Sequence, residues 1–140
     1  MKKIALAVTL FLSTLVHAEQ INLSDWVYVT DAITGNPMRL LGKKASISLT
    51  KNKHGVWVIG AQFAYYSGEK DTTVVYTAIE LSSCESGEGQ LVFIDKDAPA
   101  GTEPVSVFWS ARGSKMYDIE GAVMCRGIKN AQDAVPKLGV

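Results

Sequence analysis

Alternation of apolar and polar positions dominates the chain after its first segment. Asp25-Trp26-Val27-Tyr28-Val29-Thr30 is rich in β-branched and aromatic residues and predicts a first strand. The cluster Thr34-Gly35-Asn36-Pro37 breaks the chain. Ile47 and Leu49 then alternate with Ser46, Ser48 and Thr50, which predicts a strand with one wet face. A polar turn, Lys51-Asn52-Lys53-His54-Gly55, leads into a strand over Val56–Tyr66 that sets Trp57, Ile59, Phe63 and Tyr65 on one side. These two strands form the clearest hairpin. After Ser67-Gly68-Glu69-Lys70-Asp71 the pattern resumes over Thr72–Cys84, with Val75, Ile79 and Leu81 on one face and Tyr76, Glu80 and Ser82 on the other. A turn over Glu85-Ser86-Gly87-Glu88-Gly89 precedes Leu91-Val92-Phe93-Ile94. Asp95–Pro104 holds two prolines, Gly101 and three acids, the composition of a long surface loop. Val105–Ser110 is the last clear strand, with Val105, Val107 and Trp109 inward.

The period changes after Gly113. Ser114 can cap a helix, and Met116, Ile119 and Val123 follow at i, i+3 and i+7 with Ala122 beside them. Gly127 stands where a helix commonly stops, and Gly121 weakens the helix by about 1 kcal/mol relative to Ala. A strand through Ala122–Cys125 is the competing assignment. Residues 128–140, with Pro136 among small and polar neighbours, have the composition of a loose tail. The expected fold class is therefore α+β and predominantly β: an antiparallel sheet of about six strands with a C-terminal helix.

The first segment changes this picture. Met1-Lys2-Lys3, an apolar run from Ile4 to Val16, and His17-Ala18 have the order of a secretory signal peptide, residues 1–18. Cleavage after Ala18 leaves a mature chain starting at Glu19, with one domain over residues 19–127. The apolar run is shorter than the roughly 18 residues a membrane span needs. Export to the periplasm or beyond the cell gives the two cysteines, Cys84 and Cys125, an oxidising setting in which an even pair usually bonds. Such a bridge closes a loop of about 42 residues and, with the helical assignment, ties the helix end to the strand ending at Cys84. Two buried free thiols are the alternative, and no C-x-x-C spacing points to redox activity.

Composition narrows the function. The 14 basic and 14 acidic residues balance, whereas a nucleic-acid binder needs a clustered basic excess. A 47% hydrophobic fraction argues against disorder. The mature region has a single histidine, His54, in a lysine-flanked turn that presents its side chain to water, so a Ser-His-Asp arrangement has no good base. With the thiols bridged no zinc ligand set remains. Asp95-Lys96-Asp97 lacks the twelve-residue calcium-loop pattern. Gly87-Glu88-Gly89 lacks the continuation of a phosphate loop. Glu80 interrupts an apolar strand, and paired carboxylates for glycoside chemistry would have to come from such acids. The expectation is no catalytic residue, no metal and no cofactor. Binding is better supported: Tyr66, Tyr76 and Phe108 fall on strand faces opposite the main apolar sets, where aromatic side chains can anchor a partner. The helix or a second copy of the chain, in a homodimer, would be the alternative cover for that face.

The order of these landmarks resembles the surface-adhesin protein E family of Gram-negative bacteria. The likeness rests on Trp26–Tyr28, Val56-Trp57-Val58-Ile59, Ile79-Glu80-Leu81-Ser82-Ser83-Cys84, Gly89-Gln90-Leu91, Trp109, and Gly113-Ser114 through Cys125, and covers roughly residues 26–127. It implies an antiparallel sheet of about six strands with a C-terminal helix, and binding of host extracellular matrix proteins. That adhesin is lipid-attached, whereas no cysteine follows the apolar run here, so a periplasmic relative with another binding task fits equally. The alternative function is an inhibitor or immunity-type protein that blocks a periplasmic hydrolase through a loop such as Asp95–Pro104.

Overall fold

A computed structural model describes residues 21–31, 38–68 and 72–134. The expected signal segment, the Thr34–Pro37 break and the end of the expected tail lie outside the described residues. Seven strands form one antiparallel sheet: β1 (Trp26–Asp31), β2 (Arg39–Lys43), β3 (Ser48–Lys51), β4 (Trp57–Tyr66), β5 (Thr72–Glu80), β6 (Glu88–Asp95) and β7 (Val105–Ser110). A short helix α1 (Leu81–Ser86) links β5 to β6, and a long helix α2 (Met116–Ala134) ends the described chain. The spatial order is β1-β2-β4-β5-β6-β7, with β3 also paired to β4.

β4 is long enough to serve two partners along one edge. Its second half, Phe63–Tyr66, pairs with β2 and its first half, Trp57–Gly60, with β3. Where the two partners part, the hydroxyl Oγ of Ser46 accepts the Gln62 backbone N–H at 3.1 Å in place of a strand bond. Strand β2 escaped the sequence pattern because Arg39-Leu40-Leu41-Gly42-Lys43 does not alternate: Leu40 and Leu41 are both buried, on opposite faces of the sheet.

Helix α2 packs on one face. From the sheet this core takes Leu40, Ile59, Phe63, Val75, Ile79, Leu91 and Trp109, and from the helix Met124 and Ile128. The helix covers the side opposite Tyr66, Tyr76 and Phe108, so it is not the cover for those aromatics. Cys84 and Cys125 are bonded, with Cα atoms 5.4 Å apart, which ties α1 to the middle of α2. A formed bridge belongs to an oxidising, non-cytoplasmic compartment.

Five details differ from the sequence expectation. The strand expected to reach Cys84 ends at Glu80, where the chain turns into α1: the Ser83 hydroxyl donates back to the Glu80 carbonyl at 2.6 Å, and Gly87 closes the turn in the left-handed region at φ 78°. Residues 122–125 are helical as the leading assignment has it, but the helix does not stop at Gly127 and runs to Ala134. Ile128, assigned to a loose tail, is 6% exposed in the core. The buried helix face is Glu120, Gly121, Met124 and Ile128, with Met116, Ile119 and Val123 only half-buried at its flanks. Val105, expected inward, is exposed at the end of the edge strand.

The glycines explain both the helix's course and its rotation. A Cβ on Gly121 would fall inside contact distance of the Trp109 ring, and one on Gly127 would meet the tip of Ile47. The backbone is thus pressed against a rigid indole at one glycine and a flexible side chain at the other. Gly121→Ala is expected to lower stability by about 1–2 kcal/mol, since overpacking outweighs the roughly 1 kcal/mol gain in helix propensity. Gly127→Ala, where Ile47 can change rotamer, is expected to stay within about 0.5 kcal/mol of the parent. Paired urea titrations of the two variants check this, and equal losses would refute the distinction.

Candidate functional site

The sheet face away from α2 is divided in two. Toward β2 it is closed by a second cluster, in which Leu41, Ala64 and Val74 are buried beneath Ile21, Trp26 and Tyr66. Toward β7 it is open, and strand register gives it a shape. Ser48 pairs with Gly60, Gly60 with Ala78, Ala78 with Val92, and Val92 with Ser106. Because residues directly opposite one another share a face, these small side chains form one row across five strands.

Larger residues stand on both sides of that row. One bank is Gln62, Tyr76 and Ile94, which are mutual register partners. The other carries Val58 paired with Glu80, and Gln90 paired with Phe108. A furrow of about 420 Å³ lies over Ser48, Gly60, Ala78 and Val92 and against the first bank, with Pro104 at its margin and Ser46 at one end; the second bank stands beyond its lining. Same-face neighbours along a strand lie about 6.8 Å apart, so the banks stand roughly 13 Å from each other, wide enough for one polypeptide segment. The floor is largely apolar and uncharged.

Tyr76 is 44% exposed and Phe108 56% exposed, on opposite sides of the row, and of the two Tyr76 lines the furrow. Tyr66 lies on the same face but half-buried in the closed cluster, so it does not join them. The residues that floor the furrow, Ser48, Gly60, Ala78 and Val92, carry no signal of their own in the sequence. Each strand supplies one residue without a long side chain, and only the register of the strands aligns them.

The other expected groups lie apart. His54 is exposed in its turn, its backbone N–H bonded to the Asn52 side chain at 2.9 Å. The Asp95–Pro104 loop is braced internally: the Asp97 N–H donates to the Asp95 carboxylate at 2.8 Å, and the Thr102 hydroxyl to the Pro99 carbonyl at 2.6 Å. Among the described residues no group of three or more His, Cys, Asp or Glu is placed to hold a metal ion, and no helix is long and apolar enough to cross a membrane.

Two acidic residues of α2 are buried, Asp118 and Glu120. Glu120 is fully buried under α2, and the Tyr65 hydroxyl reaches both its carboxylate oxygens at 3.1 Å. Burial pushes the Glu120 carboxyl up to about 7, the phenolic hydrogen bond opposing the shift. Burial beside this carboxylate holds the Tyr65 phenol far above its usual range, so it remains a donor. The pair of Glu120 and Tyr65 belongs to the helix–sheet contact and has no route to the furrow through the sheet.

Comparison of the chain with family models, with curated proteins and with solved structures gives no match.

Proposed function

We propose that this protein is an exported, non-enzymatic binding module that holds a protein partner on its helix-free sheet face, in the manner of the bacterial surface adhesins its sequence resembles. The observation that supports this most is the furrow itself, an apolar trough walled by the exposed Tyr76. The exposed Phe108 stands on the same helix-free face across the small-residue row, and exposed aromatic groups beside a concave apolar strip are the usual anchors of an interface. Periplasmic or extracellular residence follows from the signal-like first segment together with the disulfide. A partner segment would lie across the strands, its apolar side chains over Gly60 and Ala78 and its flanks against Tyr76 and Phe108.

The test is retention of partner proteins from periplasmic and host extracellular-matrix extracts by the oxidised protein, compared with variants that alter only the furrow. Gly60→Val is suitable because a Cβ there finds its nearest neighbour, the Ser48 hydroxyl, at 3.5 Å, leaving room for a side chain to fill the trough without strain. Gly60→Val and Tyr76→Ala are each expected to weaken binding about ten-fold or more with the thermal midpoint little changed. A partner retained equally by both variants would place binding elsewhere. Loss caused only by changes in the Asp95–Pro104 loop would favour the inhibitor alternative.

A further inference from the structure

The two ends of the sheet are finished differently. At β1 the pairing with β2 slips between Tyr28 and Thr30, which bulges the strand at Val29, and Asp31 at its end faces Arg39 with a charged contact of 3.8 Å. A bulge and terminal charges are the usual ways to keep an edge from pairing. At the opposite end β7 reads Val-Ser-Val-Phe-Trp-Ser: regular in register, without charge and without proline.

Hydrogen-bond parity shows which β7 groups point outward. Ala111 N–H donates to the Gly87 carbonyl in register with the β6 ladder, so Val105, Val107 and Trp109 bond inward to β6. Ser106, Phe108 and Ser110 therefore turn their backbone groups away from the sheet. The Ser110 N–H is already taken by the Asp118 carboxylate at 2.8 Å. The free N–H and C=O groups of the edge are those of Ser106 and Phe108, placed symmetrically about Val107.

We propose that β7 is the self-association surface of this protein, pairing antiparallel with β7 of a second copy about a two-fold axis through Val107. A second copy is the fitting occupant because the free groups match themselves. Ser106 of each chain faces Phe108 of the other, and each such pair exchanges both backbone bonds. The register one step away, centred on Phe108, would set Ser106 against Ser110, whose N–H Asp118 has removed. Side chains agree with the first register. On the open face Phe108, 56% exposed, comes opposite the small Ser106 of the partner, and on the helix face Val105, 50% exposed, comes beside Trp109. Both exposed apolar residues of the strand become covered. The furrow row, which ends at Ser106, is then closed by the second copy's Phe108. This pairing stands independently of what the furrow binds.

The experiment is sedimentation equilibrium of the oxidised full chain across concentrations up to about 0.5 mM, a range suited to a small interface. The expected result is a doubling of mass with concentration. Ser106→Pro removes an outward N–H without touching the β6 ladder, and Phe108→Lys puts a charge on the edge; each is expected to leave a monomer with unchanged far-ultraviolet circular dichroism. Val107→Cys places two thiols across a non-hydrogen-bonded pair, where Cα atoms are about 4.5 Å apart and a disulfide can form. It is expected to cross-link under air beside the intact native bridge, with Phe108→Cys failing to. A chain that stays monomeric over the whole range overturns the proposal, including one that takes up only foreign strand peptides. So does a dimer that survives Ser106→Pro, and cross-linking through Phe108→Cys alone overturns the register.

Discussion

Cys84→Ser is expected to lower the unfolding free energy by about 4 kcal/mol, with a fall in thermal midpoint on the order of 15 °C. The bridge joins residues separated by 41 positions, and the loop it closes contains β6, the Asp95–Pro104 loop, β7 and the start of α2. Removing it restores the freedom of that whole stretch to the unfolded chain while leaving the folded contacts nearly intact. Met124 and Ile128 still lie on the sheet, and Gly121 still lies against Trp109, so the variant is expected to fold. Three measurements check this. Cys84→Ser, Cys125→Ser and the double variant should lose the same amount, since each removes one and the same constraint. Reducing agent should shift the parent by that amount and leave the variants where they are. A parent midpoint indifferent to reductant would refute the account.

The second large effect is a loss of stability as pH rises. Glu120 has an ordinary carboxyl value of 4.5 and is raised by burial to about 7 in the folded state. Between those values the folded chain holds a proton that the unfolded chain has released, so stability is fully present below about pH 4.5. It declines as pH climbs through 7, and the total decline from this group is about 3 kcal/mol. This is opposite to the usual salt-bridged carboxylate, whose stabilising contribution is lost on acidification. Glu120→Gln keeps the shape and an acceptor for Tyr65 but cannot ionise. It is expected to flatten the dependence between pH 5 and 8, remaining within about 1 kcal/mol of the parent at pH 5 and exceeding it by about 2–3 kcal/mol at pH 8. Tyr65→Phe removes the hydrogen bond that favours the charged form, so the decline should begin at the same pH and extend higher. Denaturant midpoints at half-unit pH steps distinguish the variants. A parent whose stability is level from pH 5 to 8 would show that Glu120 is solvated after all.

How much of this was legible beforehand varies from element to element. β4 was readable because Trp57, Ile59, Phe63 and Tyr65 repeat at a period of two over a long strand half-covered by a helix, the condition under which alternation is clean. β2 was not, because its two faces are both buried at neighbouring leucines. The helix was recognised but rotated: apolar residues at Met116, Ile119 and Val123 marked a face, while the chain buries the two glycine-spaced turns beside it, including a glutamate. No periodicity places Glu120 or Gly121 in a core, since one is charged and the other has no side chain. Their burial depends on Trp109 and Tyr65, which are distant in sequence. Alternation places Tyr66, Tyr76 and Phe108 together opposite the main apolar sets but leaves open what covers that face; the structure exposes Tyr76 and Phe108 there and half-buries Tyr66, because alternation says nothing about which end of a face is covered.

Local periodicity and the presence of two thiols in an exported chain are enough to set the class of fold, the bond between Cys84 and Cys125, and which residues of the regular strands share a face. Tertiary structure alone decided the furrow, the free edge at β7 and the buried carboxylate. Each is a relation between strands or layers, fixed by register and by which side chain a helix meets. A shift of one residue in pairing leaves the composition unchanged, yet scatters the small-residue row and turns every side chain of the shifted strand to the other face.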